Sequence, residues 1–320
     1  MCRPVLLLII LQLIFSACAV SGEIRITEGV GVVNLLLDKN SGRGELPVYF
    51  YKPKHFGYES SVLIVIPGSG RNAADYRDSW IDSANEYNVL VIVPKYSPDD
   101  YDFAAYNLGG VITKLNYSNV KVKRHSGRIY SYVLDDHDIS FEYVKDSRNY
   151  IFHDFDKIFS AFKSAIGFSQ DTYDLFGHSA GGQLLHRYAI FKPDSLANRV
   201  VAANSGFYTL PAYKLEFPHG LKGINDTKVD LSSSFRLRLF IMVGENDNMN
   251  SKQGILLHTP NTDQQGLGRY ERGQYFYSFS KTKAIESGFD FNWHLKIVEG
   301  VGHDKHEMGY AAAKLLYGEL

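Results

Sequence analysis

The sequence predicts a doubly wound α/β fold with a mostly parallel sheet, and two observations support this prediction. Short runs rich in Val, Ile and Leu recur along the chain and are apolar nearly throughout, a pattern typical of strands covered on both faces. Helical patterns with one apolar side lie between these runs, and such alternation favours a parallel sheet flanked by helices. No repeat, low-complexity tract or proline-rich linker divides the 320 residues, so we expect a single domain over residues 23–320.

The order of the expected elements follows from the same patterns. Residues 24–37 and 46–51 are expected to enter the sheet as antiparallel strands. The later strands are expected at 61–67, 88–94, 172–176, 199–204, 237–244 and 294–300. The helices are expected at 73–86, 154–166, 180–191 and 305–316. In sheets of this kind, functional residues collect in the loops at the carboxyl ends of the strands.

One segment interrupts the alternation of strands and helices. About 60 residues separate the strand that ends at 94 from the next helix, which is too long for an ordinary loop. We therefore interpret residues 97–150 as a lid-like insertion between a sheet strand and the following helix, with a plain surface elaboration as the alternative. Its sequence predicts a β-hairpin that turns at Ser126 and Gly127. Tyrosines of this segment, together with Trp293, are candidates to line a pocket.

The first 22 residues have the layout of a secretory signal, which is predicted over residues 1–22. Arg3 gives a short basic start, the apolar run 5–15 is short for a bilayer-spanning helix, and small residues follow. Cleavage is expected after Ala19, or before Cys18 if this cysteine becomes the lipidated first residue. We therefore expect a secreted or periplasmic protein, or one that is anchored at the cell envelope through a lipid on Cys18.

Composition excludes several classes of function. Cys2 and Cys18 are the only cysteines, so the exported part has no disulfide, no catalytic thiol and no cysteine-bound metal. The chain holds 34 Lys and Arg against 35 Asp and Glu, and its net charge of −1 gives no indication of a nucleic-acid partner. The short basic run KVKRH at 121–125 is interpreted as the solvated edge of the hairpin rather than as a binding patch.

Three predicted strand ends carry the residues of one chemistry. The motif GHSAG at 177–181 places Ser179 after one strand, GEND places Asp247 after another, and GVGHD places His303 after a third. A serine hydroxyl is a poor nucleophile unless a base takes its proton, and that base needs an acceptor that fixes its tautomer. The sequence therefore predicts Ser179 as nucleophile, His303 as base and Asp247 as the acid that orients the base.

The turn around the serine also has residues that such a site needs. Gly177 and Gly181 leave room on both flanks of a strained strand-to-helix turn. The helix that starts at Ala180 points its N-terminus at the reaction centre, where N–H groups favour negative charge. The N–H groups of Ala180 and of Ser69, in the turn PGSG, are predicted to form the oxyanion hole, with Gly70 as an alternative to Ser69.

Two alternatives concern the identity of the base and of the acid. Glu245 lies in the same loop as Asp247, and either carboxylate could orient an imidazole. His306 could replace His303 as the base, but it falls inside a helical pattern whereas His303 directly follows a strand.

The remaining histidines are interpreted without a catalytic role. Residues 303–307 crowd two histidines and two carboxylates together, yet no separately placed ligand cluster accompanies them, so we expect no metal and no cofactor. One base is enough for the chemistry, and His178 and His186 are therefore expected to be structural or to line a pocket.

The motifs PGSG, GHSAGG, GEND and GVGHD, in this order and strand context, resemble the α/β-hydrolase superfamily over residues 61–316. The stretches GHSAGGQLLHR and PGSGRNA are most similar to secreted bacterial serine esterases that include polyhydroxybutyrate depolymerase-like and feruloyl-esterase-like proteins. The resemblance implies a serine carboxyl-ester hydrolase that works through an acyl-enzyme on small or polymeric esters. Pro67 stands where a histidine often precedes the oxyanion glycine, so the chain departs from the family pattern next to this predicted donor. A serine peptidase or amidase of the same fold, and a non-catalytic binding protein, are the alternatives.

Overall fold

The computed structural model describes residues 24–37, 44–224 and 229–318. The predicted signal at 1–22, with Cys18, lies outside the described residues, so export and lipidation stay predictions. Within the described part, none of the helices combines the length and the apolar content that a bilayer-spanning segment needs.

The described residues alternate between strands and helices along most of the chain. The strands are β1 (Gly29–Leu35), β2 (Leu46–Lys52), β3 (Val62–Ile66), β4 (Leu90–Pro94), β5 (Ile112–Tyr117), β6 (Lys121–His125), β7 (Arg128–Val133), β8 (Ile139–Tyr143), β9 (Tyr173–His178), β10 (Ala197–Ala203), β11 (Arg238–Gly244), β12 (Leu256–His258) and β13 (Trp293–Val298). The α-helices are α1 (Ala73–Asp78), α2 (Ile81–Tyr87), α3 (Phe103–Tyr106), α4 (Asp154–Ile166), α5 (Ala180–Phe191), α6 (Leu231–Arg236), α7 (Pro260–Gln264), α8 (Arg269–Ser287) and α9 (Lys305–Tyr317).

The main sheet confirms the predicted doubly wound fold. Its eight strands follow the order β1-β2-β4-β3-β9-β10-β11-β13. The first two strands run antiparallel, as expected, and the strands from β4 onward in this order are parallel. Every residue of β3 and β4 is buried, because their uniformly apolar sequences are covered by helices on both faces. Parallel pairing brings the carboxyl ends of β3, β9, β11 and β13 to one edge of the sheet.

Two apolar cores cover the two faces of this sheet. On one face, side chains of α1, α2 and α9 pack against it, and Trp80 meets Phe176 edge to face with 5.0 Å between ring centroids. On the other face, α4, α5 and α8 form the larger core. Trp293 belongs to that core, where it is 1% exposed and donates its Nε1–H to the Ser234 carbonyl. The expectation that Trp293 lines a pocket is therefore wrong.

Two helices differ from the sequence prediction. The helix expected at 73–86 is divided into α1 and α2, because the Ser79 hydroxyl bonds back to the Tyr76 carbonyl and Trp80 adopts φ −105° and ψ −2°. The apolar spacing continues across this break, so the spacing alone predicts one helix. The 19-residue helix α8 was not predicted, since RYERGQYFYSFSKTKAIES mixes charged and aromatic residues without a clear apolar stripe.

The segment 97–150 contains the expected hairpin. Strands β6 and β7 pair antiparallel, and the turn between them holds Ser126 and Gly127 at positive φ of 48° and 79°, as tight two-residue hairpin turns require. All residues of β6 are exposed, and β12 adds to β7 as a third, parallel strand. Strands β5 and β8 form a separate pair. Tyr101 and Tyr106 lie in the main core rather than along a pocket wall, and a lid function stays a prediction.

Candidate active site

Ser179 lies in a strained turn between a strand and a helix. Strand β9 ends at His178 and α5 begins at Ala180, so the serine alone makes the turn. Its φ of 60° and ψ of −113° lie in a region that non-glycine residues rarely adopt. The Ser179 N–H donates to the Ala203 carbonyl at 2.9 Å, which ties the turn to the neighbouring strand β10. The strained backbone thus presents the hydroxyl at the carboxyl edge of the sheet.

The flanking glycines are required by contacts with backbone atoms. A Cβ atom at Gly177 would lie 2.4 Å from the Gly181 carbonyl oxygen. A Cβ atom at Gly181 would lie 2.1 Å from the Ile66 carbonyl oxygen at the end of β3. Neither backbone atom can move without opening the turn, so side chains are excluded on both sides of Ser179.

The three predicted residues meet at this edge in one chain of hydrogen bonds. The Ser179 hydroxyl lies 3.1 Å from His303 Nε2, and His303 Nδ1 lies 2.6 Å from Asp247 Oδ2. In a neutral imidazole, the Nδ1–H therefore donates to the carboxylate and Nε2 is free to accept the serine proton. Asp247 is fully buried, whereas the His303 side chain keeps a small exposed edge of 8%.

The charges around this chain of bonds favour an ionised acid and a neutral base. Burial alone would raise the pKa of Asp247, but the charge of Arg269 and the bond from His303 hold it below its usual range. Burial, followed by the charge of Arg269, lowers the pKa of His303, and Asp247 only partly opposes this. His303 is therefore ready to accept a proton at neutral pH.

The two alternative residues occupy other positions. Glu245 accepts from the Gly300 N–H at 2.9 Å and so joins the loop that follows β11 to the loop that follows β13. His306 lies in the exposed first turn of α9, where its N–H donates to the Asp304 carboxylate. Among the described residues, no group of three His, Cys, Asp or Glu side chains converges as a metal site would require.

His178 and His186 are both buried. The His178 ring packs beside that of His303 with 4.6 Å between centroids, and its Nδ1 lies 3.1 Å from the Tyr76 hydroxyl. Burial is the main cause that puts the pKa of His178 far below its usual range. His186 accepts from the Thr209 N–H and faces the Gly182 carbonyl with its other nitrogen. The His178 ring thus packs against the ring of His303. His186 is a buried residue that is hydrogen-bonded through both ring nitrogens.

The predicted oxyanion donors lie on the two sides of the serine. Ala180 is the first residue of α5, where backbone N–H groups have no partner within the helix. Ser69 follows β3 in an exposed turn. This turn passes close to the nucleophile, since a Cβ atom at Gly68 would lie 3.5 Å from the Cβ of Ser179. The turn that contains Ser69 therefore lies near Ser179, and the binding of an oxyanion by the N–H groups of Ala180 and Ser69 stays a prediction.

Three residues of the site carry no sequence motif and were not predicted. Arg269, at the start of α8, lies with Nη1 3.1 Å from Asp247 Oδ1. Gln253 accepts the His303 N–H at 3.0 Å. Asn204, buried at a positive φ of 46°, accepts from the Gly244 N–H and donates to the Gly302 carbonyl. Their partners are distant in the chain, so local sequence offered no signal for them.

Solved structures of hydrolases share this fold. One is poly(aspartic acid) hydrolase-1 from Sphingomonas sp. KT-1, with a TM-score of 0.75 and 29% identity over 91% of this chain and 100% of that chain. Another is LpqC, a poly(3-hydroxybutyrate) depolymerase from Bordetella parapertussis, with a TM-score of 0.75 and 27% identity over 91% and 90% of the two chains. An IroE-like serine hydrolase from Shewanella oneidensis shares the fold at a TM-score of 0.51 and 12% identity, over 90% of this chain and 80% of that chain. No protein-family model and no curated protein sequence matches the chain.

These similarities confirm the resemblance that the four motifs indicated. The chain has the α/β-hydrolase fold. The two structures at 29% and 27% identity are hydrolases, and they support a hydrolase of this fold here.

Proposed function

We propose that the protein is a serine carboxyl-ester hydrolase that works through an acyl-enzyme on Ser179. The observation that carries this proposal is the continuous chain of bonds from the Ser179 hydroxyl through His303 to buried Asp247. A serine linked in this way to a neutral imidazole can lose its proton as it attacks, and the carboxylate stabilises the imidazolium that forms.

In the first half of the reaction, Ser179 Oγ attacks the ester carbonyl carbon while His303 Nε2 takes the hydroxyl proton. The carbonyl oxygen becomes an oxyanion, for which the N–H groups of Ala180 and Ser69 are the proposed donors. When this intermediate collapses, the bond between carbon and the alcohol oxygen breaks and the imidazolium gives its proton to the alcohol. The acyl group then remains on Ser179, and the alcohol leaves.

In the second half, water takes the place of the alcohol. His303 removes a proton from the water as the oxygen attacks the acyl carbon, and a second oxyanion forms in the same position. Its collapse breaks the bond to Ser179 Oγ, which takes back the proton from His303. The acid leaves and the enzyme returns to its starting state, with no cofactor consumed in either half.

An amide hydrolase with the same three residues is the second candidate. It is favoured by the 29% identity to a poly(aspartic acid) hydrolase, because the units of such a polymer are joined by amide bonds. The 27% identity to a poly(3-hydroxybutyrate) depolymerase favours the ester instead. Both names point to polymers, so we propose short polyester oligomers as the first substrates to try.

The test combines a covalent probe with a substrate panel. A fluorophosphonate should label the wild-type protein on Ser179, and Ser179→Ala should lose labelling and about 10⁴-fold or more of the hydrolysis of p-nitrophenyl butyrate. The panel adds hydroxybutyrate oligomers and poly(aspartic acid), compared by kcat/KM. Faster cleavage of the polyamide would replace the ester proposal with the second candidate. If the folded wild-type protein neither reacts with the probe nor cleaves any substrate, both hydrolase proposals fail. A binding protein of this fold is then the remaining interpretation.

A further inference from the structure

Arg269 is a buried cation that contacts the acid of the proposed triad. It is the first residue of α8 and is 2% exposed. Its Nη1 lies 3.1 Å from Asp247 Oδ1 and also donates to the Gln253 carbonyl at 3.1 Å, while Nη2 donates to the Ile255 carbonyl at 2.9 Å. Since the other carboxylate oxygen of Asp247 bonds to His303, both oxygens are held and the carboxylate cannot rotate away from the base.

The loop that Arg269 holds also covers the base. A Cβ atom at Gly254 would lie 2.7 Å from His303 Cδ2 and 3.1 Å from Arg269 Nη2. The residue before it, Gln253, accepts the His303 N–H through its side chain at 3.0 Å. The segment 253–255 therefore lies between the guanidinium and the imidazole, and its position depends on both.

We propose that Arg269 is a positioning residue of the triad, which fixes the Asp247 carboxylate and the 253–255 segment against His303 and keeps the imidazole neutral. The proposal rests on the proposed function of Ser179, His303 and Asp247. A fixed positive charge this close makes an imidazolium less favourable and an ionised carboxylate more favourable. The planar guanidinium also bonds three oxygens at once, which an ammonium group cannot do in the same geometry.

The other charged and titratable groups near the imidazole come from several elements. Two carboxylates favour the imidazolium, and the buried ring at the end of β9 is neutral. The lysine at the start of α9 is paired with an acid of α1. These groups are Asp247 after β11, Asp304 before α9, His178, and Lys305 with Asp75. Arg269 is thus the cation that directly opposes the Asp247 carboxylate at this site.

Arg272 offers a matched control on the same helix. It lies one turn further along α8 and is fully buried. Its guanidinium donates to the Gly206 and Leu257 carbonyls at 2.6 Å and 2.9 Å, and pairs with Asp263 at 2.9 Å. It therefore holds the next part of the same loop, but its contacts do not include Asp247 or His303.

The test reads the protonation of His303 directly, without substrate. In the Ser179→Ala protein, the His303 ring signals are followed by NMR between pH 4 and 9 and assigned by comparison with His303→Gln. Arg269→Met should raise the pKa of His303 by about one unit, since a nearby cation is lost. Arg269→Lys, which keeps the charge, should leave this pKa near its wild-type value. Arg272→Met should also leave the pKa of His303 near its wild-type value, although this change removes a buried arginine too.

In the proteins that retain Ser179, the acidic limb of kcat/KM against pH should move upward by the same amount in Arg269→Met. At a pH below that limb, this means about tenfold less activity. If the Met variant does not fold, Arg269→Gln takes its place. An unchanged His303 pKa in a folded Met or Gln variant, or an equal shift in Arg272→Met, would overturn the proposal. Because the NMR titration needs no turnover, this outcome is separate from a failure of the ester hydrolase proposal.

Discussion

The carboxyl edge of the main sheet and the segment 97–150 are held in very different ways. At the sheet edge, Asp247 and Asn204 are fully buried, and each side chain bonds to two neighbouring segments of the chain. In the 97–150 segment, strand β6 is exposed along its whole length. The start of this segment enters the main core with Tyr101 and Tyr106, whereas its later part joins the rest of the protein through the pairing of β7 with β12 and through Asp136.

This difference separates the two requirements of a hydrolase. A nucleophile, a base and an oxyanion hole need groups fixed in advance, so that no reorganisation is needed as charge develops. A wall that selects substrates can vary in sequence and position while the chemistry stays the same. We therefore expect substitutions at the sheet edge to affect both stability and turnover. If the 97–150 segment forms a wall of the substrate site, substitutions that change how it is attached should affect substrate binding rather than turnover.

The largest effect is expected from Gly181→Ala. Its methyl group would meet the carbonyl oxygens of Ile66 at 2.1 Å and of Pro67 at 2.8 Å, so the turn must open and displace Ser179. We expect the free energy of unfolding to fall by about 3 kcal/mol, at the upper end of overpacking effects, and ester hydrolysis to be lost. Urea unfolding and kcat/KM measure the two effects.

Gly127→Ala is the matched change in the hairpin. No atom lies within 4 Å of a Cβ built there, although φ is 79°, so the cost is limited to backbone strain of about 1 kcal/mol. Activity should be unchanged. If the two alanine variants had equal stability and activity, the sheet edge would not be more tightly constrained than the hairpin.

The next effect in order of size is expected from acid pH, which should lower the free energy of unfolding through the buried histidines. His178, His186 and His303 are buried, and burial is the main cause that lowers the pKa of each. The unfolded chain takes up protons near the ordinary histidine pKa of about 6.5, whereas the folded chain does not. The free energy of unfolding should therefore fall as the pH drops below about 6.5, by up to about 1.4 kcal/mol per histidine and pH unit. The acidic limb of kcat/KM should also lie below the usual histidine pKa.

Urea unfolding at pH 7.5, 6.5 and 5.5 measures this dependence. His186→Gln should make it shallower, because one buried histidine no longer distinguishes the folded from the unfolded chain. A free energy of unfolding that stays constant from pH 7.5 to 5.5 would contradict the buried neutral state of these rings.

The sequence predicted the sheet, and it pointed to the three residues that meet at the sheet edge, because both depend on short patterns. Apolar runs fix the buried strands, and a parallel sheet brings the residues after those strands to one edge. The three residues Ser179, Asp247 and His303 each lie within a few positions of a strand end. The position of each residue just after a strand was therefore enough to predict that the three residues lie close together.

The remaining parts of the site depend on packing between distant segments. Arg269 lies 22 residues after Asp247 at the start of a helix without a clear apolar stripe, and its partners include carbonyls of a loop. Any residue can supply a carbonyl, so the sequence has no signal for such a contact. The break between α1 and α2 was hidden for a similar reason, because Tyr76, Trp80 and Ala84 keep helical spacing across it.

A small effect on stability, similar to that of Gly127→Ala, is expected from Asp136→Asn, which loosens the 97–150 segment. Asp136 accepts from the Asn261 N–H at 2.8 Å and lies 3.1 Å from His219 Nε2. Burial alone would raise the pKa of Asp136, but the bonds from its partners lower it to about 2, so this anchor stays charged across the working pH range.

Asp136→Asn should lower the free energy of unfolding by about 1 kcal/mol, since it weakens hydrogen bonds to a charged group. If the 97–150 segment forms a wall of the substrate site, KM for oligomeric esters should rise while kcat for a small ester stays unchanged, because the triad is untouched. Asp138→Asn is the control, since its carboxylate bonds to Ser118 and Asn119 within the segment. Equal KM values in both variants and the wild type would mean that this segment is a surface elaboration that does not contact the substrate.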